Sequence, residues 1–276
     1  LQVGDGPQFI ALGGAASDNP RITHLCLALD NFNHEWIVQI LAENGVAATG
    51  QSGPMQSRVR MRGEDFGGAP TGTPELYFGD PDGVVLQLQD SSYCGGAGLL
   101  GEDCLAIPER APTEGLLAVS EFNHFTIFVT DQQRSIELYQ RLFGMEVDTY
   151  QGALPVLRVG SGKQFLALAG VPGISTGLIH HASLAVDDFD VDRIFSLLEG
   201  YGLTVLGEAS GANGPLQTYV TMRGPNRGGA PEGTPELYFT DPDGILIQLQ
   251  DVRYCGGNGY FGDECGTVEN PTGRNG

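Results

Sequence analysis

Residues 74–90 read Pro-Glu-Leu-Tyr-Phe-Gly-Asp-Pro-Asp-Gly-Val-Val-Leu-Gln-Leu-Gln-Asp, and residues 235–251 read Pro-Glu-Leu-Tyr-Phe-Thr-Asp-Pro-Asp-Gly-Ile-Leu-Ile-Gln-Leu-Gln-Asp. In each stretch an apolar segment runs into Asp-Pro-Asp-Gly and a second apolar segment follows, which is the pattern of two strands joined by a tight turn. The two stretches lie 161 positions apart. Because self-similarity at a fixed offset marks repeated architecture, the sequence predicts two copies of one domain.

The repeat extends beyond these strands on both sides. The cysteine-containing loops that follow them recur at the same offset, and residues 1–12 match residues 157–168. We therefore expect an N-terminally incomplete first domain at residues 1–117 and a complete second domain at residues 118–276. The chain begins without Met and without a signal-peptide pattern, which predicts a processed or incomplete product. Cleavage of the missing front and its supply by another chain both stay open.

A finer repeat divides each domain into modules. His24, His124 and His181 each open the pattern His-x4-[Val/Leu]-x-[Asp/Asn] on an apolar stretch typical of a buried strand, and a helical pattern follows. Short strands separated by glycine turns complete each module, so each module is β-α-β-β-β. The three complete modules are expected at residues 21–90, 118–170 and 178–251.

These patterns resemble the vicinal oxygen chelate superfamily, the group of glyoxalase I, bleomycin-resistance proteins and extradiol catechol dioxygenases. The resemblance rests on the His-x4-Val-x-Asp strand and on the Tyr-Phe-x-Asp-Pro-Asp-Gly turn, and it covers nearly the whole chain. It implies an α+β fold in which tandem βαβββ modules pair into half-open barrels. Modules 118–170 and 178–251 would form one barrel, and module 21–90 would pair with a module of which residues 1–14 remain.

The resemblance also implies a metal site. Metal-dependent members take their ligands from the first strands and from the last strand, which here offer His124, His181 and, at the place of the usual Glu, Gln248. We therefore expect these three residues to hold a divalent ion, Fe(II) or Mn(II), with His24 and Gln87 as first-domain counterparts. A glutamine carbonyl can ligate such an ion, but it supplies no negative charge to offset the charge of the metal.

Two further side chains are candidates for catalysis by the same resemblance. Tyr238 lies ten positions before Gln248, where extradiol dioxygenases carry a tyrosine that acts as acid or base on the substrate. Glu236 lies two residues before Tyr238 on the same strand, so both side chains share a face, and Glu236 is the candidate base or extra ligand. The extradiol pattern is incomplete, because its terminal Glu and the His expected before Leu237 are both missing.

The resemblance thus implies a metal-dependent, extradiol-dioxygenase-like enzyme that acts on a small oxygenated or aromatic substrate chelated by the metal. Lyase or isomerase chemistry stays open on the same site. The alternative is a metal-free small-molecule binding protein of the bleomycin-resistance type. In that case His124 and His181 are hydrogen-bonded core residues, Gln248 lines a polar pocket, and Tyr238 packs inside the barrel.

The charge of the chain limits its partners. There are 14 Lys and Arg residues against 34 Asp and Glu residues, which gives a net charge of −20. Such a field repels nucleic acid and anionic membrane surfaces, and no apolar run is long enough to span a membrane. A small-molecule substrate is therefore expected, and a second copy of the chain or another chain remains a candidate to complete the first domain.

Four of the five cysteines form two C-x9-C pairs in glycine-rich loops. Disulfides Cys94–Cys104 and Cys255–Cys265 are the leading interpretation, ahead of reduced structural cysteines and of a metal site. Disulfides imply an oxidising compartment, so we expect a periplasmic or secreted protein. Cys26 lies in an apolar run and is expected to be a small buried thiol.

Overall fold

The computed structural model describes residues 1–14, 19–104, 109–207 and 211–266. Its helices are α1 (His34–Glu43), α2 (Gln132–Phe143) and α3 (Val191–Tyr201). Its strands are β1 (Leu25–Leu29), β2 (Ala47–Ala48), β3 (Gln56–Arg62), β4 (Thr73–Gly79), β5 (Val85–Asp90), β6 (Val119–Val129), β7 (Val147–Gln151), β8 (Leu154–Arg158), β9 (Phe165–Gly170), β10 (Leu178–Val186), β11 (Thr204–Val205), β12 (Gln217–Arg223), β13 (Thr234–Thr240) and β14 (Leu246–Asp251). The architecture is α+β, as the sequence predicts.

The strands form two sheets. The first has the order β1-β5-β4-β3-β2, and the second has the order β11-β12-β13-β14-β10-β6-β9-β8-β7. In the second sheet β6 pairs antiparallel with β10, which joins two βαβββ modules into one continuous surface. β2 and β11 are two-residue strands that the β-α-β-β-β pattern did not include.

The nine-stranded sheet curls into a half-open barrel. Gln151 at the end of β7 donates hydrogen bonds from Nε2 to Tyr254 Oη (3.0 Å) and to the backbone oxygen of Gly256 (3.2 Å), both beyond the end of β14. These bonds draw one edge of the sheet towards the loop that follows β14. The concave face that results holds the residues described in the next subsection.

The helices begin and end at residues suited to those places. Asp131 and Asp190 accept hydrogen bonds from the backbone N–H groups of Arg134 and Arg193, the third helical residues of α2 and α3, as N-caps do. Gly144 and Gly202 follow the two helices with φ of 64° and 112°, a conformation that favours glycine.

Cys26 does not lie where the apolar run predicts. Leu25 and Leu27 on β1 are buried in the core, whereas Cys26 between them points to the other face of the sheet and is exposed. The expectation of a buried thiol is therefore wrong. An apolar run can be buried on one face only, and strand alternation places Cys26 on the open concave face of the first sheet.

The first sheet packs against helix α2 through the turn after β4. Asp82 accepts hydrogen bonds from the backbone N–H of Thr130 (3.1 Å) and from Ser135 Oγ (3.2 Å), and it pairs with Arg134 (3.1 Å). Asp80 accepts a hydrogen bond from Tyr139 Oη at 3.2 Å. The buried apolar side chains on both sides of this contact form one continuous core.

Residues 1–14 form a small hairpin in which Gln2 and Phe9 are bridged. The Phe9 ring lies 6.0 Å from the Tyr93 ring, and Phe165 on β9 lies 6.0 Å from Tyr254. The hairpin therefore packs against the loop at residue 93 in the same way that β9 packs against the loop at residue 254. The division of the chain into domains at residues 117 and 118 stays a prediction.

Both C-x9-C pairs are closed as disulfides, Cys94–Cys104 and Cys255–Cys265. None of the described helices is long and apolar enough to cross a membrane.

Candidate metal centre

Three of the predicted ligands meet where the central strands of the nine-stranded sheet lie side by side. Ser183 on β10 is in register with His124 on β6 and with Gln248 on β14. His181 lies two residues before Ser183, so its side chain points to the same concave face. His124, His181 and Gln248 are each at most 5% exposed.

The donor atoms of these residues converge. His124 Nε2 lies 3.3 Å from His181 Nε2 and 3.1 Å from Gln248 Oε1. Ligand atoms held about 2.1 Å from one ion, at angles of roughly 90–105°, are separated by roughly 3.0–3.3 Å. The described residues contain no group of three His, Cys, Asp or Glu side chains that could share an ion, so the third donor here is an amide oxygen. The separations fit a divalent ion.

In each module, the side chain of the residue before the patterned histidine lies within hydrogen-bond distance of that histidine's Nδ1. Thr23 Oγ1 lies 3.0 Å from Nδ1 of His24, and Asn123 Oδ1 lies 2.7 Å from Nδ1 of His124. His180 Nδ1 lies 2.8 Å from Nδ1 of His181. In all three modules Nδ1 is engaged, which leaves Nε2 for the concave face. Metal-ligating histidines are oriented by such partners.

The hydrogen bonds of Asn123 fix the tautomer of His124. Asn123 donates from Nδ2 to the backbone oxygen of Tyr254 at 2.7 Å, so its Oδ1 is the atom that faces the ring. An amide oxygen only accepts, so His124 carries its proton on Nδ1. The lone pair of Nε2 then faces another acceptor, Gln248 Oε1. With this tautomer, Nε2 of His124 and Oε1 of Gln248 offer lone pairs to the same space.

Both histidines are neutral at physiological pH. Burial lowers the pKa of His124 to about 3. Burial, followed by the charge of His124, lowers the pKa of His181 well below its usual value. Neutral rings offer the lone pairs that a metal ion needs.

Tyr238 lies beside the convergence point. Its ring is perpendicular to that of His181 at 5.3 Å and is stacked on that of Tyr219 at 5.0 Å. Burial, followed by the negative charge of Glu236, raises the pKa of Tyr238 well above its usual value. The phenol therefore keeps its proton at neutral pH and can donate it.

The carboxylate of Glu236 binds Arg223 and Tyr254 and not the two histidines. Its Oε1 pairs with Arg223 Nε at 2.8 Å and accepts a hydrogen bond from Tyr254 Oη at 3.3 Å. Arg223 is 1% exposed and also donates from Nη2 to the backbone oxygen of Gly257 in the disulfide loop. Glu236 thus ties β13 and β12 to that loop.

The first-domain counterparts form a sparser group. The His24 ring lies 5.6 Å from the Tyr77 ring, and Gln87 is in register with Cys26 on β1. Burial lowers the pKa of His24, while hydrogen bonding to Gln87 acts in the opposite direction. Among the described residues no second histidine faces His24, because the hairpin at residues 1–14 contains none.

Residues 121–249 match the model of the Glyoxalase/Bleomycin resistance protein/Dioxygenase superfamily. This part of the chain belongs to that superfamily. The matched segment contains His124, His181 and Gln248. Among curated proteins, none matches the sequence.

Solved structures of two catechol dioxygenases are similar in fold to the chain. A catechol 2,3-dioxygenase superposes with a TM-score of 0.51 at 12% identity, covering 84% of this chain and 72% of its own. A halotolerant catechol dioxygenase gives 0.51 at 14% identity, covering 88% of this chain and 69% of its own. A Mn(II)-bound glyoxalase from Novosphingobium aromaticivorans gives 0.48 at 19% identity, covering 83% and 62%. At identities of 12% and 14%, the two dioxygenase matches establish the fold alone.

Three residues of the candidate site were not among the sequence candidates. Asn123, Arg223 and Tyr254 orient His124 and Glu236 through the hydrogen bonds described above. Arg223 and Tyr254 recur at the 161-residue offset as Arg62 and Tyr93, so the repeat itself could have identified them as candidates. A polar residue directly before each patterned histidine was the signal for Asn123.

Proposed function

We propose that the chain is a metal-dependent enzyme that acts on a small oxygenated or aromatic molecule, with Fe(II) or Mn(II) held by His124, His181 and Gln248. The observation that carries this proposal is the convergence of three neutral donors, with two Nε2 atoms 3.3 Å apart and an amide oxygen 3.1 Å from one of them. Asn123 supports it, because it leaves the ligating nitrogen of His124 without a proton.

When bound, a divalent ion would supply Lewis acidity towards two adjacent oxygens of the substrate. The ligand set itself brings no negative charge, since both histidines are neutral and Gln248 is an amide. The ion would therefore keep its full positive charge for the substrate, and it would be held more weakly than by a carboxylate.

Tyr238 would donate a proton or a hydrogen bond to a substrate oxygen at the concave face. Its ring contacts His181, and its raised pKa keeps the phenol protonated at neutral pH. Arg223 and Tyr254 already bind Glu236, so we assign this carboxylate to holding Tyr254 in place rather than to the ion. Dioxygenase-type ring cleavage is the reaction that we propose for the site.

We also propose that the protein works in an oxidising compartment, in the periplasm or outside the cell. The two disulfides support this proposal, because such bonds persist where thiols are not kept reduced.

The test is oxygen uptake by protein loaded with Fe(II) under anaerobic conditions and then mixed with catechol and dissolved oxygen. We expect uptake together with the absorbance of a ring-opened product. Both signals should be lost in His124→Ala and in His181→Ala and kept in His34→Ala, a histidine on α1 outside the site. Metal binding without oxygen uptake would overturn ring cleavage of catechol, and failure to bind metal would overturn the whole proposal.

A metal-free binding protein is the second candidate. It is favoured by Gln248, which brings no charge, and by Ser183 Oγ, which is buried without a hydrogen-bond partner among the described residues. In this case a proton on His181 Nε2 would bridge to His124 Nε2 across 3.3 Å. Equilibrium dialysis of chelator-treated protein against Fe(II) or Mn(II) separates the two functions, because the binder would take up neither ion.

A further inference from the structure

The concave face of the five-stranded sheet is positively charged in a strongly acidic protein. Arg58, Arg60 and Arg62 alternate along β3 and therefore point to this face. Glu75 on β4 points to the same face and is in register with Arg60. Three guanidinium groups thus meet one carboxylate on this face, in a chain whose net charge is −20.

The three arginines differ in their partners. Arg62 Nε pairs with Glu75 Oε1 at 2.7 Å, and Arg60 lies 3.8 Å from Glu75 Oε2. Arg58 has no ion-pair partner within the described part of the chain. Its guanidinium carbon lies over the ring of Tyr77, 4.8 Å from the centroid. The Arg58 side chain is therefore exposed to solvent, while the Tyr77 ring that it covers is buried.

The surroundings of Arg58 can receive a ligand. The His24 ring stands perpendicular to the Tyr77 ring at 5.6 Å, and Cys26, on the same face at β1, is exposed. Gln89, also on this face, is 1% exposed, and neither its amide nitrogen nor its amide oxygen has a hydrogen-bond partner among the residues that the structure describes. Buried amides rarely remain unpartnered, so Gln89 indicates that the face is polar and not fully satisfied by the chain itself.

The second sheet lacks this charge. Tyr219 stands at the position that matches Arg58, and Thr221 stands at the position that matches Arg60. The Tyr219 ring is stacked on Tyr238 at 5.0 Å, where Arg58 instead places a cation over Tyr77. Arg223 and Glu236 remain as a neutral pair. On the strands themselves, the row of three arginines therefore belongs to the first sheet, whereas the charge near Tyr238 comes from Arg227, outside the strands.

We propose that the concave face of the first sheet binds a small organic carboxylate, with Arg58 as its main contact. A planar guanidinium forms two parallel hydrogen bonds with a carboxylate, and the Tyr77 ring beneath Arg58 holds that guanidinium at the face of the sheet. Glu75 would not repel it, because Arg62 and Arg60 neutralise that carboxylate. No metal ion is needed, so this site is independent of the ion proposed at His124.

The test is calorimetric titration of chelator-treated protein with benzoate, and with benzamide as the uncharged analogue of the same shape. The key variant is Arg58→Tyr, which installs the residue of the matching position in the second sheet. Arg141→Tyr, on the exposed side of α2, is the matched control for the loss of one positive charge. Thermal unfolding of each variant checks that the fold is kept.

We expect one benzoate per chain, an affinity at least about tenfold weaker in Arg58→Tyr, and an unchanged affinity in Arg141→Tyr. Benzamide should bind at least about tenfold more weakly than benzoate, because it cannot form a charge-assisted pair. The absence of benzoate binding, equal affinity in Arg58→Tyr, or equal binding of benzamide would each overturn the proposal.

Discussion

Asn123 Oδ1 lies 2.7 Å from His124 Nδ1, and the same amide donates from Nδ2 to the backbone oxygen of Tyr254. One buried amide thus connects a proposed ligand to the residue that precedes a disulfide cysteine. The bond to Tyr254 fixes which atom of the Asn123 amide faces His124. The position of the proton on the His124 ring therefore depends on the loop at residues 254–265.

Replacement of Asn123 tests this dependence. In metal-free wild-type protein, long-range proton–nitrogen NMR spectra should show His124 with its proton on Nδ1. In Asn123→Leu the acceptor is gone, so the proton should move to Nε2, where it can be donated to Gln248 Oε1. Divalent-metal affinity should then fall by about 10–100-fold. An unchanged tautomer in the variant would contradict the assignment.

The two disulfides offer a matched pair of variants. Each closes a loop of the same length, so Cys255→Ser/Cys265→Ser and Cys94→Ser/Cys104→Ser should each lower the free energy of unfolding by about 3 kcal/mol in urea titrations. Only the first variant should alter the His124 tautomer, because only that loop holds Asn123. An effect of both variants on His124 would mean that general loosening, and not the Tyr254 contact, is responsible.

Gln248→Glu would restore the negative charge that the ligand set lacks. The new carboxylate lies at a position that is 1% exposed, so it should destabilise the metal-free protein and raise Mn(II) affinity by about tenfold or more. The increase in melting temperature on addition of Mn(II) should therefore exceed that of the wild type. Gln87→Glu is the control, since only one patterned histidine faces it, and an equal Mn(II) effect in this control would contradict the proposed site.

The sequence predicted the fold, and the residues proposed as ligands, more readily than their surroundings. The repeat predicted that His124, His181 and Gln248 lie on strands, because the two-residue alternation of a strand and the 161-residue offset can both be recognised in the sequence. The tautomer of His124 was not predictable, because it depends on a backbone oxygen of Tyr254, 131 residues away in the chain. Cys26 was misjudged because an apolar run does not reveal which face of a sheet is covered.

Asp80 should make stability depend on pH. Burial raises its pKa from 3.8 to about 6, against the opposing effect of two backbone N–H groups. Because the folded pKa lies above that of the unfolded chain, the stabilisation from protonated Asp80 is complete below about pH 4 and is lost as the pH rises through about 6. Asp80→Asn keeps an acceptor for both N–H groups and does not ionise.

The free energy of unfolding of the wild type should therefore fall relative to that of Asp80→Asn by about 2–3 kcal/mol between pH 4 and pH 7. Urea unfolding of both proteins at several pH values measures this difference. Parallel pH profiles would show that the Asp80 carboxyl does not titrate in this range.

Mn(II) binding to chelator-treated protein, followed by calorimetry together with the electron paramagnetic resonance signal of the free ion, tests the proposed centre most directly. The proposed site predicts one ion per chain, lost in His124→Ala and in His181→Ala but kept in His24→Ala. Binding of less than about a tenth of an equivalent by the wild type, or equal loss in all three variants, would contradict a metal centre at His124, His181 and Gln248.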